Sequence, residues 1–127
     1  RRPEVALVLR TSGTTLKPKV VPHTARGLYA SAACGIERLG LTGADVLLNG
    51  SPLVTGFGIT QSLLPSVLSG GSMVCPENLD PASLVGWLVE FRPTWFITTP
   101  TMHQAVLRFC RSEPDLALPQ ALRLVRS

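Results

Sequence analysis

Residues 94–109, "TWFITTPTMHQAVLRF", decide the fold class. Every residue from Thr94 to Thr99 is β-branched or aromatic, which favours a strand. Thr101 and Gln104 then form a capping-box pattern, which predicts that a helix begins there. The face of this helix that we expect to point inward carries Met102, Val106 and Phe109. A strand that runs directly into an amphipathic helix is the repeating unit of an α/β protein.

The same alternation continues on both sides of this segment. Further strands are predicted at Val5–Leu9, Asp45–Asn49, "GGSMVCP" (70–76) and Leu122–Ser127. Further helices are predicted from about Thr24, over Ile59–Leu68 with a kink at Pro65, and after the Asp80–Pro81 pair. Strand and helix thus alternate about five times, so we expect an α/β fold with a mostly parallel sheet and flanking helices. The apolar run Val5–Leu9 predicts a strand of this sheet that is buried on both faces.

Composition narrows the function classes. The chain has 127 residues, of which 45% are hydrophobic and 16% charged, so one globular domain is expected. No apolar run approaches the roughly 20 residues that cross a bilayer. The net charge of +4 comes from scattered arginines without interleaved aromatic residues, so we do not predict nucleic-acid binding. Three widely spaced cysteines indicate reduced thiols and a cytoplasmic protein.

Three predicted loops share one composition and one expected location. "TSGTT" follows the first strand, "GSPLVTGFG" follows Asp45–Asn49, and "TTPTM" follows the strand before residue 99. Ligands of open α/β sheets bind beyond the carboxyl ends of the strands. We therefore expect these loops, rich in Gly, Ser, Thr and Pro, to gather at one edge and form the site.

The first of these loops suits an anion. Its hydroxyl groups belong to Thr11, Ser12, Thr14 and Thr15. Gly13 would let backbone amides approach phosphate oxygens, and Lys19 would supply a positive charge. The residues alone are equally consistent with a turn whose hydroxyl groups cap their own backbone.

His103 and Cys110, seven residues apart, are interpreted as a core or boundary pair rather than a catalytic dyad.

The segment "LRTSGTTLKPKVVPHT" resembles the phosphate loop of the adenylate-forming superfamily, which includes acyl-CoA synthetases, aryl-CoA ligases and luciferases. "SPLVTGFGI" resembles the second motif of that family, and "FRPTWFITTPTMHQAVL" resembles its strand-to-helix segment. "LRLVRS" resembles the strand that leads to the next family loop. The resemblance extends over nearly the whole chain and favours the acyl-CoA synthetase branch. It implies that residues 1–127 are part of the large amino-terminal domain of such an enzyme.

The resemblance also implies an activity. Enzymes of this family use ATP and Mg²⁺ to convert a carboxylic acid into an acyl-adenylate, and most then transfer the acyl group to coenzyme A or phosphopantetheine. The residues that would hold the β- and γ-phosphates are Thr11, Ser12, Gly13, Thr14, Thr15 and Lys19. Phe57 and Gly58 would line the acyl pocket, and Pro100, Thr101 and Met102 would support it. Thr55 occupies the place where many relatives carry a histidine that contacts the reacting carboxylate.

Two departures from the family pattern carry expectations of their own. Leu16 and Val20 stand where relatives commonly have glycine, so we expect local strain of about 1–2 kcal/mol if these positions need a positive φ.

The adenine-binding loop, the magnesium motif and the catalytic lysine of relatives lie beyond the similar region. We therefore expect the 127-residue chain by itself to be inactive and to self-associate through unpaired strand edges. The alternative is a non-catalytic α/β module that binds anions or a partner.

Overall fold

The computed structural model describes residues 4–10, 18–113, 116 and 120–127. The strands are β1 (Val5–Arg10), β2 (Val20–Thr24), β3 (Val46–Gly50), β4 (Ser72–Val74), β5 (Trp95–Thr98) and β6 (Leu124–Arg126). The helices are α1 (Ala25–Leu39), α2 (Leu64–Leu68), α3 (Pro81–Phe91) and α4 (Pro100–Ser112), and a π-helical segment (Gly58–Leu63) precedes α2.

The main sheet is parallel, as the alternation of strands and helices predicted. Its four strands lie in the order β4-β3-β5-β6. The two central strands pair from Leu47 opposite Trp95 to Gly50 opposite Thr98. β3, the first of these strands along the chain, lies inside the sheet, with β4 on one side of it and β5 and then β6 on the other. Because all the pairs are parallel, the carboxyl ends of the four strands share one edge.

Helices cover both faces of this sheet and divide the core in two. On one face, Leu41, Leu47, Trp95 and Ile97 are buried, with Ile36 and Leu39 of α1 packed against them. On the other face, Leu48, Leu84, Val85, Leu88, Phe96 and Val106 form a second cluster beneath α3 and α4. Successive strand residues therefore serve opposite clusters, and β5, which is buried at all four positions, requires the continuous apolar run found in the sequence.

Helix ends follow local sequence rules, with one correction. Asp80 caps α3 by accepting a hydrogen bond from the backbone N–H of Ser83 at 3.0 Å, as its place before Pro81 predicted. Asp80 is exposed, and the hydrogen bonds from Ser83 lower the pKa of its carboxyl group. The predicted cap of α4, Thr101, is wrong: Thr99 is the cap, and its Oγ1 accepts from the N–H of Met102 at 3.4 Å. The helix begins at Pro100 because proline has no N–H to satisfy and suits the first helical position, so the preceding Thr99 is the cap.

The segment 59–68 is not one kinked helix. Gly58–Leu63 forms π-helical turns, in which the N–H of Leu64 reaches the carbonyl oxygen of Ile59, and α2 follows directly. Pro65, which has no N–H, lies in the first turn of α2, where no such donor is needed. The proline thus begins a helix here instead of bending one.

The prediction for the first strand is wrong in two respects. β1 pairs antiparallel with β2 in a separate two-stranded sheet, and Val5 and Val8 are about half exposed. The sequence analysis missed β2, because it is five residues long and contains Pro22. Val20, where strain was expected, begins β2 opposite Arg10 in an extended strand that suits a β-branched residue. Leu16 lies outside the described residues.

The amino-terminal edge of the parallel sheet is held by one buried carboxylate, Asp45. Its Oδ1 accepts from Thr94 Oγ1 at 2.7 Å and from Arg123 Nε at 3.0 Å. Its Oδ2 accepts from Arg123 Nη2 and from the N–H of Thr42, both at 2.8 Å. Arg123 also donates to the carbonyl oxygens at the end of α1. This network, here named the Asp45 network, joins the starts of β3, β5 and β6.

Within the described residues, no helix is both long enough and apolar enough to cross a membrane.

Candidate active site

Two of the three predicted loops meet at the carboxyl edge of the parallel sheet. The loops after β3 and β5 are neighbours because these strands pair as far as Gly50 and Thr98. Thr98 Oγ1 donates to the carbonyl oxygen of Gly50 at 2.6 Å, which ties the two strand ends together. A Cβ at position 50 would lie 2.8 Å from Thr98 Cβ, so glycine is required for this close approach. The predicted gathering of three loops is thus confirmed for these two, and the third, "TSGTT", lies outside the described residues.

The chain leaves β3 through a tight polar turn. Asn49 Nδ2 donates to the carbonyl oxygen of Ser51 at 2.8 Å, and the N–H of Ser51 donates back to Asn49 Oδ1 at 3.3 Å. Both residues are buried. A side-chain amide that bonds the backbone two residues on stabilises a turn, so it fixes the direction in which residues 52–58 depart.

Thr55 organises this loop through its hydroxyl group. Its Oγ1 donates to the carbonyl oxygen of Pro52 at 2.8 Å and accepts from the N–H of Gly58 at 3.0 Å. The residue is nevertheless exposed. The hydroxyl group therefore links Pro52 to Gly58, the first residue of the π-helical segment.

Phe57 and Gly58 have different structural roles. Phe57, immediately before the π-helical segment, is 36% exposed. Gly58 is buried, and a Cβ there would lie 2.2 Å from the carbonyl oxygen of Pro52. Only glycine lets the helix start pack this closely on the loop that precedes it.

A cleft of about 490 Å³ lies between the end of β1 and this loop. Its lining consists of Val8, Leu9, Arg10, Val54, Thr55 and Gly56. The strand before the third predicted loop, β1, belongs to the two-stranded sheet, and the loop itself lies outside the described residues. Arg10, which sequence analysis did not select, brings a positive charge to the cleft.

The predicted phosphate-binding residues are only partly described. Thr11, Ser12, Gly13, Thr14 and Thr15 lie outside the described residues. Lys19 is exposed and directly precedes β2. Because Arg10 pairs with Val20, the two ends of this segment are held side by side next to the cleft.

The residues predicted to support the site from β5 begin α4. Pro100 and Thr101 are exposed in its first turn, whereas Met102 is partly buried against the core. None of the three lines the cleft beside β1.

Sequence analysis missed a second group of polar contacts at the same edge, around Arg126. Its Nη2 donates to Gln61 Oε1. His103 Nε2 lies 2.7 Å from the carbonyl oxygen of Arg126, and since a carbonyl can only accept, Nε2 carries the proton. Gln61 and Arg126 are 65 residues apart, and no spacing in the sequence indicates the pair.

His103 and Cys110 are both partly buried, in agreement with their interpretation as a core or boundary pair. Both line an apolar groove of about 280 Å³ between α4 and β6. The ring of His103 stands edge-on to Phe96, with ring centroids 5.1 Å apart, and its Nε2 is engaged with β6. Burial raises the pKa of the Cys110 thiol, which disfavours the nucleophilic thiolate.

Comparisons with known proteins agree with this architecture. The model of the AMP-binding enzyme family matches residues 2–127. The chain is 35% identical to an acyl-CoA synthetase, ALT10, of Alternaria alternata, over 96% of this chain and 21% of that protein. It is 34% identical to an oxalate–CoA ligase of Arabidopsis thaliana, over 96% of this chain and 24% of that protein.

Solved structures give the same result. The anthranilate CoA ligase AuaEII, in complex with anthranoyl-AMP, superposes with a TM-score of 0.83 at 27% identity, over 98% of this chain and 24% of that one. The O-succinylbenzoate coenzyme A synthetase of Bacillus subtilis, in complex with AMP, gives 0.82 at 26% identity, over 100% of this chain and 25% of that one. The chain thus spans about a fifth to a quarter of the length of these relatives. It belongs to the AMP-binding enzyme family.

Proposed function

We propose that this chain is part of an ATP-dependent acyl-activating ligase, in which it supplies the phosphate-binding loop and part of the acyl pocket. The observation that carries the proposal is the cleft between the end of β1 and the loop at Val54–Gly56. The Ser-, Thr- and Gly-rich segment begins where β1 ends, and Arg10 adds charge to the cleft lining. ATP and a carboxylic acid are the substrates.

The proposed chemistry is adenylation. A carboxylate oxygen attacks the α-phosphorus of ATP, a P–O bond forms, and the bond to pyrophosphate breaks. Thr11, Ser12, Gly13, Thr14, Thr15 and Lys19 would bind the β- and γ-phosphates and stabilise the negative charge of the leaving pyrophosphate. Mg²⁺ typically binds such substrates through their phosphate oxygens. The acyl group would then pass to the thiol of coenzyme A or phosphopantetheine.

Thr55, Phe57, Gly58 and Thr101 are proposed to serve the carboxylic acid. The Thr55 side chain belongs to the cleft, and its hydroxyl group also holds the loop in place, so it could act near the reacting carboxylate and as a positioning residue. Phe57 presents an exposed aromatic surface that suits an apolar acyl group. Gly58 keeps the loop and the π-helical segment in close contact, and Thr101 begins the neighbouring helix.

Lys19→Ala in the complete protein tests the proposal by ATP–pyrophosphate exchange. Loss of a charge-assisted phosphate contact should lower the exchange rate by about 10- to 100-fold. The melting temperature should change little because Lys19 is exposed. Arg26→Ala removes an exposed positive charge from α1 and is the matched control.

The outcomes separate the two function classes. Unchanged exchange in Lys19→Ala would remove the phosphate role of this residue. Absence of exchange in the wild-type protein with a broad panel of acids would favour a non-catalytic anion-binding or interaction module.

Two further properties remain predictions. We place the protein in the cytoplasm, a reducing compartment that suits the free thiols of Cys34, Cys75 and Cys110. We also expect the 127-residue chain expressed alone to lack adenylation activity and to self-associate, because Val125 of the edge strand β6 is 57% exposed beside the apolar groove. Size-exclusion chromatography with a pyrophosphate-exchange assay measures both properties.

A further inference from the structure

Arg126 lies at the carboxyl edge of the parallel sheet, on the face that α1 covers. Side chains of a strand alternate between faces. Leu124 packs in the cluster beneath α1, and Val125 lines the groove beneath α4. Arg126 therefore extends towards the α1 side, where it meets Gln61 of the π-helical segment.

The guanidinium group of Arg126 is incompletely paired. Its Nη2 donates to Gln61, but its buried Nη1 has no hydrogen-bond acceptor among the residues that the structure describes. Within the same residues, the salt bridge found is that of Arg123 with Asp45, at the other end of β6. A buried charged donor without an acceptor is strongly disfavoured, which indicates that an acceptor belongs beside Nη1.

Both partners of this contact are held in position by other residues. His103 of α4 donates to the backbone carbonyl oxygen of Arg126 and so fixes the end of β6. Gln61 Nε2 donates to Thr60 Oγ1 at 3.3 Å, which turns the amide so that Oε1 faces Arg126. π-Helical turns occur frequently at functional sites, and this one carries Gln61. A neutral amide orients the guanidinium group but leaves its full positive charge for another group.

We propose that Arg126, positioned by Gln61, binds a second acidic group of the carboxylic acid substrate, so that the ligase selects dicarboxylic acids. This inference rests on the proposed adenylation function. The planar guanidinium group presents paired donors that match the two oxygens of a carboxylate.

The arrangement of the edge favours this group over the phosphates of ATP. The proposed phosphate loop follows β1, and its cleft is lined by Arg10 and Thr55. Arg126 contacts Gln61, which lies further along the π-helical segment and does not line that cleft. The substrate would thus place its reacting carboxylate near Thr55 and its second acidic group near Arg126.

The test compares acids of equal length in the complete enzyme. ATP–pyrophosphate exchange is measured with butanedioate against butanoate, and with hexanedioate against hexanoate. The wild type should prefer the diacid. In Arg126→Met, the ratio of kcat/KM for diacid over monoacid should fall by about 10- to 100-fold, the range expected when a charge-assisted contact is lost.

Gln61→Glu is the second variant, and it keeps the hydrogen-bonding partner of Arg126. Its carboxylate would neutralise the guanidinium group in place, so the same ratio should fall without loss of the fold. Arg111→Met removes an exposed arginine from the end of α4 and should leave the ratio unchanged. As a readout independent of turnover, the diacid should raise the melting temperature of the wild type but not of Arg126→Met.

The inference and the function on which it rests fail in different ways. Exchange that is active with monoacids but shows no preference for diacids, or an equal ratio in wild type and both variants, overturns the role of Arg126 alone. Absence of exchange with every acid in the wild type overturns adenylation, and the role of Arg126 falls with it.

Discussion

The two edges of the parallel sheet differ in how completely their buried polar groups are hydrogen-bonded. At the amino-terminal edge, both oxygens of Asp45 accept two or more hydrogen bonds, and Arg123 satisfies carbonyl oxygens of α1 as well. At the carboxyl edge, the hydroxyl of Ser51 and the Nη1 of Arg126 are buried without partners among the described residues. Among the described residues, the carboxylate at the first edge is fully paired, whereas these two donors at the second edge are not.

This difference separates stability from function along the same strands. Arg123 directly precedes β6 and Arg126 is its last residue, three positions later. Arg123 belongs to the Asp45 network, whereas Arg126 contacts Gln61 at the carboxyl edge. Substitutions at the amino-terminal edge should therefore change the unfolding free energy, and those at the carboxyl edge should change activity. The following variants of the complete protein test this separation.

Asp45→Ala should give the largest loss of stability, about 3–5 kcal/mol, because it leaves Arg123 and Thr94 without their shared acceptor. Thermal melting and urea denaturation measure the effect, with Glu90→Ala on the exposed side of α3 as the control. The KM for ATP in the fraction that remains folded should not change. A stable Asp45→Ala variant with altered KM would contradict the separation of the two edges.

Gly58→Ala should cost about 1–3 kcal/mol, because its Cβ would meet the carbonyl oxygen of Pro52 at 2.2 Å and force the backbone apart. The activation free energy of adenylation should rise by more than the unfolding free energy falls, since the backbone shift also moves Thr55. Gly86→Ala is the matched control. Position 86 lies within α3, where an added Cβ meets nothing within 4 Å, so this variant should gain up to about 1 kcal/mol. A similar gain in both variants would show that helix propensity, not close packing, governs position 58.

Thr55→Val should cost about 1 kcal/mol, because it removes the hydroxyl group that bonds Pro52 and Gly58 while it keeps the shape of the side chain. Adenylation should fall in Thr55→Val and persist in Thr55→Ser, which retains the hydroxyl group. Pyrophosphate exchange beside a thermal melt measures both effects. Equal exchange rates in wild type and Thr55→Val would place this residue away from the chemistry.

The smallest expected effect is in mild acid. Hydrogen bonds from Arg123 and Thr94 hold the pKa of the Asp45 carboxyl far below its usual range. The unfolded state, with a pKa of about 3.9, binds this proton first, so the stabilisation is complete only well above that value and is lost progressively as the pH falls. By about pH 4 the loss should reach a few tenths of a kcal/mol. Melting curves of wild type and Asp45→Asn should differ in this slope, and parallel slopes would contradict the role of Asp45.

Local signals in the sequence predicted most of the parallel sheet correctly. The run Thr94–Thr99, the Asp80–Pro81 pair and the helix after Thr24 each act within a few residues, and all three elements are found. Thr99 could have been chosen as the cap of α4 had Pro100 been read as a first helical residue.

Sequence reasoning failed where two distant segments decide the result. β1 has the apolar run of a central strand, but its partner is β2, whose Pro22 concealed it. The Asp45–Arg123 and Gln61–Arg126 contacts join residues 78 and 65 positions apart. Charge and polarity alone do not indicate which of the arginines will meet a carboxylate, an amide or neither.

The two-stranded sheet of β1 and β2 has a consequence for motion. Two paired strands are marginally stable by themselves, whereas the four-stranded sheet is covered by helices on both faces. The backbone amides of β1 and β2 should therefore exchange with solvent deuterium sooner than those of β3 and β5, because opening the small sheet takes less free energy. Nucleotide bound by the proposed phosphate loop, which connects Arg10 to Val20 along the chain, would slow the exchange of both strands, so binding and local ordering would be thermodynamically coupled.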